Sequence, residues 1–347
     1  MKGIGLMCGT SHDALDIAFV KFSRTEKNWS FKLIQSQSID IEDGIKSRLS
    51  KSTQMNGLDL LLLDRDFAKF CAVSVNEFKR KFQIEPEFIA SHGVTIFHQP
   101  QNGVTLQIGS GAILSAITNN VVISDFRMQD VAKNGQGAPL VPYADRKLFP
   151  ESYFTVNLGG FANLSVNDSG TKALGFDICP CNLILNHYSH QLGFAYDKGG
   201  EIGKSGNINA ELLSNLNKLS FYSESSPKSL GYEWFVSNYL PLFPSHISPK
   251  DGLATAIEHI AIQIGSVLNK PEKCLVTGGG AHNHFLLERI QYHSQSTLDI
   301  PDRNLIEFKE AICFAFLGLL RLNAEFNIDS NVTGSDSNTC AGAVYLP

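Results

Sequence analysis

The chain opens on two apolar stretches that alternate with period two, "IGLMC" and "LDIAFVKF", separated by the small polar turn "GTSHDA". That pattern predicts a β-hairpin. "WSFKLIQSQSIDI" alternates in the same way and predicts a third strand. "NGLDLLLLDRDFAKFCAVSVNEFKRKF" changes to helical spacing, "PEFIASHG" is a short buried strand running into a turn, and "TLQIGSGAILSAITN" reads as strand, glycine turn and helix. "NVVISDF" closes the series as another strand. This βββαβαβ order is that of one α/β half. The following "RMQDVAKNGQGAPLVPYADRKLFP" has Gly and Pro interruptions and no clean period, and the crossing to a second half is expected there.

The pattern then restarts. "SYFTVNLGGFANLSVND" predicts strand, Gly-Gly turn and strand, and "KALGFDICP" a further strand ending in an acidic turn. Helices are expected at "NLILNHYSHQLGF", "DGLATAIEHIAIQIGSVLN" and "FKEAICFAFLGLLRLNAEF", a strand, triple glycine and helix at "EKCLVTGGGAHNHFLLERI", and a last strand at "GAVYLP". Two halves that each open with a hairpin turning on small residues predict a duplicated α/β architecture with a cleft between the halves. The expected division is residues 1–130 with about 328–347, and residues 131–327.

Composition narrows the function classes. With 29 basic and 34 acidic residues in 347, no polycationic field is available for nucleic acid. The longest apolar runs, such as "AICFAFLGLL", are about half of a membrane span. The opening residues lack a signal peptide's cleavage region, so a cytoplasmic protein with a small-molecule partner is expected. The seven cysteines are scattered, as reduced structural thiols are, and Cys179-Pro-Cys181 without a second pair is weak support for zinc.

Chemistry concentrates at glycine turns after apolar strands: Gly9-Thr10-Ser11, Gly159-Gly160 and Gly278-Gly279-Gly280. A single glycine turn most often reflects backbone conformation. Three together, one leading into a helix, can hold nucleotide phosphates with backbone N–H groups. A G-x-G-x-x-G turn is absent, and "KGGEIGKS" has Lys198 where a Walker loop needs its first glycine. The "HNH" at His282–His284 starts a helix and lacks a nuclease's ligand pattern.

"GLMCGTSHDALD", "SHGVTIFHQP", "TLQIGSG", "SDFRMQDVAKNGQGAPLVP", "NLGGFAN", "GFDICPCN", "SPKSLGYEWF", "TGGGAHNHFL" and "FKEAICFAFLG" occur in the order and near the spacing of the anhydro-N-acetylmuramic acid kinases. The chain resembles that family over nearly its whole length. The resemblance implies a two-domain actin-like ATPase (ribonuclease H-like) α/β fold with a central cleft. It also implies hydrolysis of the 1,6-anhydro bond of a cell-wall amino sugar, coupled to phosphorylation of its O6 by ATP with Mg²⁺, and it leaves a homodimer open. Gly9, Thr10, Ser11, His12, Asp13, Ala14, Leu15 and Asp16 correspond to the ATP phosphate loop, with Gly159, Gly160, Gly278, Gly279 and Gly280 also on the nucleotide. Asp13 is the candidate Mg²⁺ ligand, and Asp177 corresponds to the catalytic base. Ala14, Ile178-Cys179, Cys181 and Asn134 replace residues more usual in the family.

His92, Gln107, Asp125, Arg127 and Asn182 are the candidate sugar ligands, with Arg127 suited to a bidentate pair with the lactyl carboxylate. Simpler roles compete for several of these residues. Asp177 could cap the following helix, Asp13 could bind its own turn, Arg127 could pair with Asp125 or Asp130, and His92 could be a satisfied turn histidine. Glu310 is either salt-bridged near Lys309 or turned to the nucleotide. A nucleotide-switched chaperone-type ATPase of the same fold would need a peptide-binding domain, for which no segment is left over. An ordinary hydroxyl kinase is separated only by the family resemblance.

Overall fold

The sheets are built from strands β1 (Lys2–Cys8), β2 (Ala14–Arg24), β3 (Trp29–Asp40), β4 (Phe88–Ser91), β5 (Val94–Gln99), β6 (Val104–Ile108) and β7 (Val122–Ser124). After these come β8 (Phe154–Leu158), β9 (Phe161–Val166), β10 (Leu174–Pro180), β11 (Lys273–Thr277), β12 (Thr297–Asp299) and β13 (Ala343–Tyr345). The structure is a computed structural model and describes residues 1–9, 13–26, 28–167, 174–225 and 228–347. Two compact units divide the chain: Met1–Leu148 with Phe308–Pro347, and Phe149–Glu307.

Both units are wired alike. In the first, the sheet order is β13-β7-β4-β1-β2-β3, with β1, β2 and β3 antiparallel neighbours and β1, β4 and β7 parallel. In the second, the order is β10-β9-β8-β11-β12, with β8, β9 and β10 antiparallel and β8, β11 and β12 parallel. Each unit thus places its first strand centrally, a meander on one side and parallel crossover strands on the other, the mixed α/β two-domain plan that the hydrophobic pattern implies. β5 and β6 pair in a separate two-stranded sheet, so "SHGVTIFHQP" adds a hairpin that the pattern alone did not resolve.

The first unit reaches further along the chain than the pattern suggests. It includes the helix Val141–Leu148 and, from Phe308 onward, the helix Arg303–Leu322. The reason is packing and one buried charge pair. Gly5 of β1 lies so close to the Ala311 backbone that no side chain would fit there. Phe316 packs on Phe22 and Trp29, and Phe314 on Phe126 and His92. Lys309 Nζ donates to Asp145 Oδ1 at 2.8 Å and Oδ2 at 3.0 Å, with side chains only 3% and 4% exposed.

Helix ends follow local chemistry. The helix Gly57–Phe82 starts on Asn56, whose side chain accepts from Asp59 N–H at 3.0 Å, and its last turn carries Lys79, Arg80 and Lys81 against the helix dipole. The helix Pro249–Val267 is buried on nearly all sides and forms the centre of the second unit's core with Cys179 and Cys181. Ile178, Cys179 and Cys181, which depart from the usual family residues, are core-filling side chains. Asn134 takes φ +64°, a conformation asparagine tolerates well, and its amide donates to Asp336 at 2.8 Å. No helix among the described residues is long and apolar enough to cross a membrane.

Candidate active site

Because β7, β4 and β1 are parallel neighbours, their carboxyl ends lie side by side, and the residues that follow them are Asp125, His92 and Gly9. Ligands of open α/β sheets bind at such ends. A side chain at Gly9 would meet nothing within 4 Å, so this backbone is open. Thr10, Ser11 and His12 lie outside the described residues. Asp13 has a side chain 73% exposed, 3.8 Å from Lys46 Nζ, and its carbonyl accepts from Ile41 N–H at 3.0 Å. Ala14 begins β2 opposite Asp40. Leu15 is a core residue, so any nucleotide contact there is through its backbone, and half-buried Asp16 is level with Met7. Among the described residues no group of three or more His, Cys, Asp or Glu side chains forms a metal cage. Mg²⁺ in phosphate sites needs only one or two carboxylates beside phosphate oxygens and water, and Asp13, open to solvent, fits that sparse donor set.

Arg127 pairs with neither Asp125 nor Asp130. Its Nε and Nη2 donate to His92 Nε2 at 3.0 and 2.8 Å, and its Nη1 donates to Gly137 O at 2.6 Å. Asp130 is engaged instead by Gly137 N–H and the Thr333 hydroxyl, each at 2.8 Å. Three of the five guanidinium N–H groups are thus engaged among the described residues. His92 Nδ1 donates to Gly93 O at 3.0 Å, so both ring nitrogens are committed. Burial and the Arg127 charge push its pKa down to about 3 and keep it neutral. The sequence left His92 open between a sugar ligand and a satisfied turn histidine; its ring nitrogens lie on Gly93 O and on Arg127.

Burial lowers the Arg127 pKa to about 10, which leaves it charged. Removal from water raises the Glu310 carboxyl, against the pull of Lys309 and Arg127 and with a push from Asp16. Gln107 Nε2 donates to Thr105 Oγ1 at 2.8 Å and Thr95 Oγ1 at 3.3 Å, while its Oε1 is buried with no partner among the described residues. Asp125 is exposed and adopts φ +56°.

In the second unit the turns Gly159-Gly160 and Gly278–Gly280 follow the parallel neighbours β8 and β11, with Thr277 level with Asn157. Asn182 N–H donates to Gly159 O at 3.0 Å and Cys181 N–H to Gly160 O at 2.8 Å, so this turn caps the helix Asn182–Gln191. The Asn182 side chain donates to Leu158 O at 2.8 Å and lies beside Gly279 and Gly280. Gly278 has φ +82° and lies against Asn157 Oδ1 and the Leu158 carbonyl, which leaves no space for a Cβ. Asn157 and Asn182 therefore tie the two glycine turns together.

Asp177 lies on β10 where Ile178 is an extra residue in the ladder with β9, a bulge of the kind that re-aims side chains. Its N–H donates to Lys228 O at 3.0 Å and its Oδ2 accepts from Leu230 N–H at 2.8 Å. It does not cap the following helix, whose N-terminal N–H groups are taken by Gly159 and Gly160. Burial raises its pKa to about 6, partly offset by the Leu230 N–H. A carboxylate with that pKa is largely ionised at neutral pH and is a stronger base than an ordinary aspartate.

Asp177, Asn163, Asn157 and Thr277 form one rung across β10, β9, β8 and β11. Residues level with one another on neighbouring strands leave the sheet on the same face. Thr277 Oγ1 is buried with no partner among the described residues. Asn157, Asn163 and Thr277 were not singled out from the sequence. The available signal was polar residues interrupting "FTVNL", "FANLSV" and "KCLVT", which become one row only through the pairing of distant strands.

A family model described as anhydro-N-acetylmuramic acid kinase matches residues 1–347. A protein of Hydrogenovibrio crunogenus with that name is 33% identical, covering 99% of this chain and 98% of its own. Its namesakes in Pseudomonas fluorescens and Haemophilus influenzae are 34% and 32% identical over 99% of this chain and 98% and 97% of theirs. Among solved structures, a ROK family glucokinase from Streptomyces griseus in complex with glucose and AMPPNP aligns with 91% of this chain and 99% of its own, at TM-score 0.44 and 10% identity. From its first residue to its last, the chain belongs to the anhydro-N-acetylmuramic acid kinase family.

Proposed function

We propose that this protein hydrolyses the 1,6-anhydro bond of 1,6-anhydro-N-acetylmuramic acid and phosphorylates O6 from ATP, giving N-acetylmuramic acid 6-phosphate in the cytoplasm. The observation that carries the mechanism is Asp177, a strand carboxylate on a bulge, raised to about 6 by burial. Water attacks C1 and loses a proton to Asp177. The C1–O6 bond breaks, and O6 takes the γ-phosphoryl group as ADP leaves. The anhydro O6 is an ether oxygen without a proton and a poor nucleophile, so breaking its bond to C1 has to accompany making its bond to phosphorus.

The Gly9–Asp16 segment would hold the phosphates, with Asp13 toward Mg²⁺, which would neutralise phosphate charge when bound. The glycine turns tied by Asn157 and Asn182 would take the rest of the nucleotide. Arg127, oriented by His92, would grip the lactyl carboxylate, with Gln107 and Asp125 toward the sugar. Full-length relatives that are named kinases favour this reading over a chaperone-type ATPase.

Three measurements test it. ADP release with ATP, Mg²⁺ and a sugar panel is expected only with 1,6-anhydro-N-acetylmuramic acid, glucose and N-acetylglucosamine falling about 100-fold or more because they leave the Arg127 charge unmatched. Equal turnover of glucose would refute it. In ¹⁸O-water the label is expected on C1 and none in the phosphate ester; label in the ester rules out attack at C1. Asp13→Ala is expected to lower kcat about 100-fold with an unchanged unfolding midpoint, since its side chain is mostly in solvent. Full activity in that variant would exclude Asp13 from phosphate or metal binding.

A further inference from the structure

Asp177 and Asn163 are directly opposed on the antiparallel neighbours β10 and β9. The Asp177 N–H is spent on Lys228 O, on the side away from β9. The two residues are therefore a non-hydrogen-bonded pair, the closest kind, on the last regular rung before the Ile178 bulge and with side chains on one face. Leu230 N–H holds one carboxylate oxygen of Asp177. The Asn163 side chain is half-buried, and among the described residues it makes no hydrogen bond. A half-buried amide with no protein partner is what a site for a small polar ligand requires, because the protein has already met most of its desolvation cost.

We propose that Asn163 holds the attacking water against Asp177, as a further catalytic residue of the hydrolytic half-reaction. The inference rests on the reading of Asp177 as base. One O–H of the water donates to the Asp177 carboxylate and is the proton transferred. The other O–H donates to the Asn163 carboxamide oxygen. A lone pair of the water oxygen is left to form the bond to C1 while the C1–O6 electrons depart with O6. A water fixed by two acceptors has a set direction of attack, whereas a water on one carboxylate oxygen can rotate about that contact. Asn163 does not titrate. Among the described residues the other titratable groups beside Asp177 are the buried Cys179 thiol and Lys228, whose Nζ donates to Phe221 O at 2.8 Å and lies over the Phe221 ring.

The test compares wild type, Asn163→Ala, Asn163→Asp and Asp177→Asn in the full chain, with ATP, Mg²⁺ and 1,6-anhydro-N-acetylmuramic acid. Asn163→Ala is expected to lower kcat about 100-fold with both KM values within about threefold. Asn163→Asp is nearly isosteric and keeps the fold even where alanine does not. It sets a like charge beside Asp177 and is expected to move the acid limb of the pH profile of kcat/KM up by about one unit or more. That shift reads how close position 163 lies to the Asp177 carboxylate, and the loss of kcat at near-constant KM in Asn163→Ala, which a merely structural role would not give, reads its part in the chemical step. Wild-type kcat in Asn163→Ala, or an unmoved acid limb in Asn163→Asp, overturns the proposal. Asp177→Asn separates the two levels: if it is inactive while the Asn163 variants match wild type, only this inference falls, and if it is fully active, the assignment of the base falls with it.

Discussion

Asp177→Asn is expected to bind ATP and sugar and to turn over about two to four orders of magnitude more slowly than wild type. The substitution keeps size and the acceptor for Leu230 N–H but cannot take a proton from water. The wild-type kcat/KM should rise with pH along an acid limb near 6, where burial has moved the Asp177 carboxyl, and the residual activity of the variant should lack that limb. Stability moves in the opposite sense. The folded pKa lies above the unfolded one, so the native state binds this proton more tightly, and stability falls as pH rises from about 4 through about 6. Removing the carboxylate lifts that penalty, so Asp177→Asn should melt no lower than wild type at pH 8. Thermal melts at pH 5 and pH 8 beside steady-state rates check both halves. A wild-type rate in Asp177→Asn would end its assignment as base.

Lys309→Met is expected to destabilise the first unit by about 3–5 kcal/mol. The ammonium it removes is bonded to both oxygens of Asp145, and the Asp145 side chain is 4% exposed. Left without its partner, that carboxylate must stay buried and unpaired, or take up a proton. The pair by itself is not necessarily stabilising relative to an apolar couple of similar volume, because both charges were desolvated to form it. Lys309→Met with Asp145→Leu should therefore recover most of the loss. Urea denaturation of the two single variants and the double variant reads the cycle. A single variant within about 1 kcal/mol of wild type would show that water reaches Asp145.

The elements themselves were legible. Period-two alternation marked β1, β2 and β3, and helical spacing marked Gly57–Phe82, because each pattern reports which face of a segment leaves water. Pattern does not report which segment covers that face. "AICFAFLGLL" was plainly a buried helix, yet nothing local says that Gly5 of β1 leaves room for the Ala311 backbone or that Lys309 meets Asp145 across 164 positions. The division of the units shifted for that reason. Of the hairpin of β5 and β6 the pattern marks only β6, because "VTIFHQ" is too mixed for its alternation to stand out.

The candidate site divides along the same line. Motif order in the sequence determined the family and the positions of the glycine turns, and the family resemblance made Asp177 and Arg127 candidates, since these depend on residue type and order along the chain. What His92 does, why Asp177 is not a helix cap, and the row of Asp177, Asn163, Asn157 and Thr277 were decided by strand pairing and by hydrogen bonds between distant residues. Residue type states what a group is able to donate, accept or ionise. Which of these it does depends on neighbours and burial, and those are set through space by the tertiary structure.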